Sequence, residues 1–240
     1  MVKYLEIAKL IKNDIEKGQF KYGESLPDQN SLAKKYDTSR VTIQKALKLL
    51  ATEGLVFSRQ GSGTIVKKKV EPLSKFDVSI NEYSGTTALL ENSNVETKII
   101  SFDIRLPNED DQKNLEVEKN EPIYDFIRLR IVDGDPWLVE HTQMPVKIIA
   151  SLDEEILKDS VYEFIQGELH LEVGNAYRII HADLPKDSDI SLLNLDDFTP
   201  ILEIEQTVHL TDGRPFEHST SRHAFNKGSI IAFHTGKPLA

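Results

Sequence analysis

Residues 39–50 read SRVTIQKALKLL, and this stretch decides the fold of the first part of the chain. Its apolar side chains repeat at i, i+3, i+4 and i+7, the spacing of one buried helix face: Ile43, Ala46, Leu47 and Leu50. Thr38 or Ser39 can cap the first turn, and Gly54 ends the run. The opposite face is polar or basic and concentrates in the N-terminal half: Arg40, Thr42, Gln44, Lys45 and Lys48. The stretch therefore predicts an amphipathic helix that begins with cationic and hydrogen-bonding side chains.

A shorter helix precedes this one across a tight turn. Asp28 can cap free backbone N–H groups at its start, and the helix ends near Tyr36, which only Asp37 and Thr38 separate from Ser39. A first amphipathic helix begins at Tyr4 and stops at Gly18, a residue suited to a left-handed helix end. The second and third helices in chain order, with the turn between them, predict a helix-turn-helix.

A small hairpin follows the third helix. Leu55–Arg59 and Thr64–Val66 read as two strands, joined by the sequence Gln60-Gly61-Ser62-Gly63. The third helix is the candidate DNA-recognition helix of the helix-turn-helix, and a hairpin that follows such a helix is called a wing. The glycine-rich tip of this hairpin allows its backbone to approach the minor groove of DNA closely. The tip lacks the length and the Lys-Ser/Thr ending of a phosphate-binding nucleotide loop, which excludes that interpretation.

The charge distribution also favours DNA as a partner. The 240 residues carry a net charge of −10, yet residues 1–70 carry +7 and residues 71–240 carry −17. A basic head on an acidic body is expected where one domain contacts phosphate and the other stays off it, although chance clustering on a solvated face is the alternative. Arg40 can donate two hydrogen bonds to a guanine edge, and Gln44 can pair with adenine.

Composition excludes several other classes of protein. There is no cysteine, so the chain has no disulfide framework, no thiol nucleophile and no cysteine-type zinc site. No stretch approaches the ~20 apolar residues that cross a bilayer, and Glu6 interrupts any secretory signal. We therefore expect a cytoplasmic protein with no membrane partner.

Several linked motifs resemble the winged helix-turn-helix head of the GntR family of bacterial transcription regulators: LPDQNSLA at 26–33, SRVTIQKAL at 39–47, EGL at 53–55 and RQGSGT at 59–64. The family usually has arginine at the positions of Asn30 and Gln44, so this chain has fewer guanine-directed arginines, and Gln44 would favour adenine if it reaches a base. The resemblance implies the following DNA contacts: Asn30, Ser39, Arg40, Thr42, Gln44, Lys45, Gln60 and Gly61.

The acidic body reads as alternating short strands and helices. The predicted strands are Lys98–Leu106, Ile123–Val132, Trp137–Met144, Ala176–Asp183, Ile201–Leu210 and Arg214–His223. The predicted helices or caps are Pro107–Glu116, Asp153–Ile165 and Asp187–Leu193. Two strand pairs close on turn sequences that contain Asp-Gly, so the sheet is expected to be antiparallel.

Arg128 and Arg130 stand two apart on the strand Ile123–Val132 and share one of its faces. Such a pair needs an anionic partner, and a phosphate satisfies both guanidinium groups better than a carboxylate does. The alternative is that the two arginines form structural salt bridges with the many local acidic residues. The spacing of the two arginines alone favours this alternative.

The body also resembles the UTRA effector domain of the HutC-type branch of the same family. The motifs are IRLR at 127–130, DGDP at 133–136, SVY at 160–162 and DGRPFE at 212–217, with Glu140 between them. In members that sense sugar phosphates, two arginines and a serine hold the phosphate and two glutamates accept sugar hydroxyls. The resemblance implies the following effector-binding residues: Arg128, Arg130, Ser160, Glu140, Glu217 and, at a position where the family often has tyrosine, His223.

One geometric prediction follows from this assignment. Glu140 can share a face with Arg128 and Arg130 only if the hairpin pairs residues of equal parity, so the connecting loop is expected to hold an odd number of residues. A bulge is the other way to satisfy the same requirement.

No catalytic or metal motif appears in the sequence. His218 and His223 are the closest histidine pair, but their i, i+5 spacing places them on opposite faces of a strand. A triad of Ser160, Glu217 and His223 is disfavoured because any chain of this length offers such trios. We therefore expect no catalytic residue, no cofactor and no metal.

The predicted fold class is α+β, with a winged helix-turn-helix DNA-binding domain at 1–69, a linker at 70–80 and an effector-binding and dimerisation domain at 81–240. The second domain is expected to be mainly antiparallel, with the chorismate lyase-like UTRA fold. The expected function is a homodimeric repressor that binds a palindromic operator on double-stranded DNA and is released by a sugar phosphate or a similar small anion. The alternatives are a body that binds a non-phosphorylated organic anion, an enzyme with a DNA-binding head, and a sequence-insensitive architectural DNA binder.

Overall fold

The structure is a computed structural model that describes residues 3–59, 63–67, 77–79 and 93–231. The chain divides into two compact units: the described residues up to 67 belong to the first, and residues 93–229 belong to the second. Within these ranges no helix is both long enough and apolar enough to span a membrane.

The first unit is helical and ends in a hairpin. Its elements are α1 (Lys3–Glu16), α2 (Gln29–Lys35), α3 (Arg40–Thr52), β1 (Val56–Arg59) and β2 (Gly63–Val66). The apolar face of α3 packs with Ile7, Ile11 and Leu32 in a single core. β1 and β2 pair antiparallel, with Arg59 opposite Gly63. The predicted helix-turn-helix and the two wing strands are confirmed.

Local chemistry fixes the helix boundaries in this unit. Gly18 has a left-handed φ of 74°, which suits the residue at the end of α1. Asp28 caps α2, because its carboxylate accepts hydrogen bonds from the backbone N–H groups of Asn30 and Ser31. Of the two candidate caps for α3, Ser39 is the one used, and its hydroxyl accepts from the N–H of Thr42.

Strand β3 (Asp77–Ser79) belongs to the first unit and falls in the segment that the sequence assigned to the linker. The long strands of the second unit are β4 (Val95–Arg105), β5 (Ile123–Val132), β6 (Asp135–Pro145), β7 (Val173–Asp183), β8 (Ile201–Leu210) and β9 (Pro215–Ala224). They form a six-stranded antiparallel sheet in the order β4-β5-β6-β9-β8-β7. Outside this sheet, strand β10 (Ser229–Ile231) pairs with β3.

Helices cover the two faces of this sheet. They are α4 (Glu109–Leu115), α5 (Glu154–Lys158), α6 (Val161–Glu163), which continues as a π-helical turn (Phe164–Glu168), and α7 (Asp187–Leu193). Leu157 and Val161 pack on Phe126 and neighbouring residues of one face. Leu193 of α7 packs on Leu129 of the other face. The strand alternation thus gives each residue of β5 a defined side.

The hairpin between β5 and β6 contradicts one prediction. Val132 pairs with Asp135, so the loop holds two residues, Asp133 and Gly134, and not the odd number expected. Both loop residues have positive φ, the conformation of a two-residue hairpin turn that matches the strand twist. A bulge at Trp137 then inserts one extra residue and restores equal parity.

Candidate functional site

The start of α3 carries the predicted DNA contacts of the first unit. Ser39 accepts from the N–H of Thr42 at 3.1 Å, and the two side-chain hydroxyl oxygens lie 2.8 Å apart. Both hydroxyl groups therefore shape the first turn of the helix. Arg40 is exposed, and its Nε donates to Oε1 of Gln29 at 3.1 Å, which links the start of α3 to the start of α2.

A cleft of about 460 Å³ joins these elements to the first residues of β2, next to the tip of the hairpin. Asn30 and Arg40 lie on its walls together with Gly63 and Thr64. The structure thus brings together residues from α2, α3 and the hairpin in one cleft. The predicted contacts Gln60 and Gly61 lie outside the described residues.

Gln44 and Lys45 are exposed one turn further along α3. Within the described parts of the chain, no hydrogen bond or ion pair engages either side chain. They are available to a partner. Sequence reasoning missed Val41, which belongs to the same outer face and is 62% exposed.

In the second unit, Arg128 forms the centre of a buried polar cluster. Its Nη2 donates to Oε2 of Glu140 at 2.9 Å, and its Nη1 donates to the carbonyl of Leu157 at 3.1 Å. Arg128 and Glu140 stand directly opposite each other on β5 and β6, so the predicted shared face is confirmed. The Leu157 contact ties the arginine to the end of α5.

Arg130 is on the same face and is almost completely buried. Burial lowers the pKa of its guanidinium group; Glu140 opposes this effect, and the nearby charge of Arg128 adds to it. The surroundings of Arg130 therefore disfavour its positive charge. An anion placed beside both arginines would reverse that effect.

Glu217 of β9 is the second carboxylate of the cluster. It accepts hydrogen bonds from the hydroxyl of Tyr162 at 2.7 Å, from Nε2 of Gln206 at 3.0 Å and from the hydroxyl of Ser219 at 2.7 Å. Burial nevertheless raises the pKa of Glu217, with Glu140 adding to the rise and Arg128 opposing it. The surroundings of Glu217 therefore disfavour its charged form relative to a carboxyl group in water.

The other two predicted residues border the cluster differently. Ser160 caps α6, where its hydroxyl accepts from the N–H of Glu163 at 3.3 Å, and it lies three residues after Leu157. His223 is buried on the arginine-bearing face, with its ring stacked on Trp137 at 6.0 Å between centroids. Burial lowers the pKa of His223, so its neutral form is favoured. His218 lies on the opposite face.

Several polar residues of this face were missed by the sequence reasoning. Thr142, Ser219 and Gln206 stand in one cross-strand row, next to the row of Glu140. Arg178 of β7 extends the row of Thr142, Ser219 and Gln206, and its Nε donates to Oε1 of Gln206 at 2.9 Å. Strand parity alone indicates these residues once the order of the strands is known.

A third buried arginine provides a contrast. Arg222 lies on the reverse face of the sheet and forms ion pairs with three carboxylates, those of Asp183, Asp189 and Glu203. Acids of the chain therefore surround this arginine. On the other face, two arginines share the ion-paired Glu140 and a Glu217 whose charged form is disfavoured by burial.

Comparisons with known proteins cover both units. The family model described as "Bacterial regulatory proteins, gntR family" matches residues 3–66, and the model described as "UTRA domain" matches residues 91–227. The HTH-type transcriptional regulator GmuR of Bacillus subtilis is 35% identical over 227 residues, which are 95% of this chain and 96% of that protein.

Solved structures agree with these matches. The crystal structure of the possible transcriptional regulator YydK from Bacillus subtilis is similar over 98% of this chain and 100% of that chain, with a TM-score of 0.82 and 29% identity. The structure of the effector binding domain of the B. subtilis trehalose repressor TreR covers 59% of this chain and 99% of that chain, with a TM-score of 0.54 and 31% identity. The likeness therefore extends to both the head and the body.

Proposed function

The chain belongs to the GntR family of bacterial transcription regulators and carries a UTRA domain, and from this premise we propose that it is a repressor released from its operator by a small anionic sugar derivative, such as a sugar phosphate. DNA binding is the task of the first unit. Effector binding is the task of the arginine-bearing face of the second unit.

The charge balance of the buried cluster is the observation that carries the effector proposal. Arg128 and Arg130 are both shielded from water, and Glu140 is the carboxylate in ion-pair contact with Arg128. Charge interactions are stronger where water is excluded, so an anion gains more here than at the surface. Guanidinium groups bind phosphate through two parallel hydrogen bonds, which makes a phosphoryl group the best match.

The neighbouring residues suit the sugar part of such an effector. Glu140 and Glu217 offer carboxyl oxygens, and Thr142, Ser219 and Gln206 offer uncharged hydrogen-bonding groups on the same face. Carbohydrate hydroxyls act as both donors and acceptors, as such a mixed surface requires. The structurally similar TreR domain belongs to a trehalose repressor, which supports a sugar-derived ligand.

The proposed operator is palindromic double-stranded DNA, bound by a homodimer in the cytoplasm. Helix-turn-helix dimers contact two half-sites about one helical turn apart, so the operator mirrors the symmetry of the protein. Effector binding would then favour a dimer in which the spacing of the heads no longer matches the half-sites. A differential affinity of ~1–3 kcal/mol per site is sufficient for such coupling.

A ligand panel tests the effector proposal directly. The full chain is heated with hexose 6-phosphates, the same sugars without phosphate, inorganic phosphate and citrate, and its melting temperature is recorded. A ligand at 100 times its Kd stabilises the folded state by about 2.7 kcal/mol. Stabilisation confined to phosphorylated sugars supports the proposal. Stabilisation by citrate alone supports a non-phosphorylated organic anion as the effector and contradicts the proposal of a phosphate.

A charge-conserving variant locates the binding site. Arg130→Lys keeps one positive charge but loses the planar fork, so sugar phosphate affinity is expected to fall about tenfold, the value of one charge-assisted hydrogen bond of ~1.5 kcal/mol. Arg214→Ala removes an exposed arginine that pairs with Asp212, and it serves as the control. Equal affinity in both variants would place the ligand elsewhere.

Recovery of unchanged ligand after incubation distinguishes a binder from an enzyme.

A further inference from the structure

Val41 is an apolar residue on a surface that is otherwise polar and basic. It lies in the first turn of α3, and Gln44, Lys45 and Lys48 follow it at i+3, i+4 and i+7. These four positions form one stripe on the side of the helix away from the buried Ile43. Val41 is 62% exposed, whereas the core-facing residues of α3 are buried.

The neighbours of Val41 are already engaged within the first unit. Ser39 and Thr42 bond to each other, and Arg40 donates to Gln29. These contacts hold the first turn of α3 in place. The side chain of Val41 is therefore exposed beside neighbours whose side chains bond to one another within this unit.

DNA is the partner that fits this stripe. Residues 1–70 carry a net charge of +7, which complements a phosphate backbone. In the major groove, the group that an apolar side chain can recognise is the 5-methyl group of thymine. We infer that Val41 contacts a thymine methyl in each operator half-site, beside an adenine that pairs with Gln44. This inference rests on the proposed operator binding and names part of the sequence that is read.

The helix geometry places the two contacts on neighbouring base pairs. Gln44 stands three residues after Val41, which is about 4.5 Å along a helix that rises ~1.5 Å per residue. Base pairs are stacked about 3.4 Å apart. One helical turn therefore reaches a thymine and an adenine on adjacent or next-adjacent pairs, while Lys45 and Lys48 remain near phosphate groups.

The test removes the 5-methyl group of thymine from the DNA and truncates Val41 to alanine in the protein, separately and together. Duplexes that bind the full chain are first selected from a random pool. Each thymine of one half-site is then replaced by deoxyuridine, which lacks only the 5-methyl group. For one thymine we expect the wild-type affinity to fall about fourfold, the equivalent of one buried methyl group of ~0.8 kcal/mol. With Val41→Ala the same replacement should change the affinity by less than about 1.5-fold.

Two further variants keep the result specific. Val41→Thr retains one methyl group and should preserve the discrimination between thymine and deoxyuridine. Leu10→Ala truncates an apolar side chain of α1 that is 47% exposed, and it should leave the discrimination unchanged. If the wild-type chain selects a sequence but no thymine shows coupling to Val41, the inference is wrong while operator binding stands. If no sequence is selected, both operator binding and the inference that depends on it are contradicted.

Discussion

Replacing Arg128 by alanine should destabilise the second unit far more than the loss of a surface arginine does. The guanidinium group is bonded to Glu140 at 2.9 Å and to the carbonyl of Leu157 at 3.1 Å. The side chains of Arg128 and Glu140 are only 10% and 8% exposed. The alanine variant therefore leaves a carboxylate buried with its salt-bridge partner removed.

The magnitude follows from this burial. Removing one partner of a buried ion pair costs about 3–5 kcal/mol, whereas replacing both partners by neutral groups is often close to neutral. A whole domain is stable by about 5–15 kcal/mol, so the single variant is expected to lose a large part of its stability. The double variant Arg128→Met with Glu140→Gln removes both charges of this pair and should recover part of the loss, because Arg130 then lacks the opposing charge of Glu140.

Urea unfolding measured by tryptophan fluorescence isolates the relevant unit. Trp137 is the single tryptophan of the chain, lies in the second unit and is 5% exposed against His223. Its signal therefore reports the unfolding of this unit. Arg214→Ala, at an exposed hairpin turn, is the matched control and should change the free energy of unfolding by less than about 0.5 kcal/mol. A loss below about 1 kcal/mol for Arg128→Ala, or a double variant no more stable than the single one, would refute the reasoning.

Three other variants probe separate features. Ser39→Ala removes the cap on the N–H of Thr42 and should cost the first unit about 1 kcal/mol, measured by thermal unfolding followed by circular dichroism. Gly134→Ala places a Cβ at a φ of 82° and should cost about 1–2 kcal/mol in urea, whereas unchanged stability would contradict the turn geometry. Because the pKa of Glu217 is raised in the folded state, the contribution of this group to wild-type stability is lost as the pH rises from its ordinary pKa of 4.5 towards the raised value. The melting temperature of Glu217→Gln relative to wild type should therefore increase with pH, and a constant difference would contradict the raised pKa.

The sequence predicted the elements of this protein better than the geometry of its sites. Helix α3 and the strand Ile123–Val132 were found because their apolar residues follow a clear period. The bulge at Trp137 has no such signal, since it depends on how a two-residue turn matches the twist of the sheet. Arg178 was missed because the row that joins it to Thr142 crosses from β6 to β9, two strands that are distant in sequence. Val41 was not among the predicted contacts because the contacts expected on α3 were all polar or basic side chains.

The two faces of the sheet show why residue type alone does not identify a ligand site. Arg222 is as deeply buried as Arg128, yet three carboxylates of the chain surround it, so its charge is balanced within the fold. Arg128 and Arg130 share a face where Glu140 forms the ion pair and burial favours the protonated form of Glu217. An external anion with two or more oxygens can accept hydrogen bonds from both guanidinium groups at once. Because a phosphate monoester carries close to two negative charges near pH 7, it should stabilise this face more than a monocarboxylate of similar size, and a neutral sugar should stabilise it least.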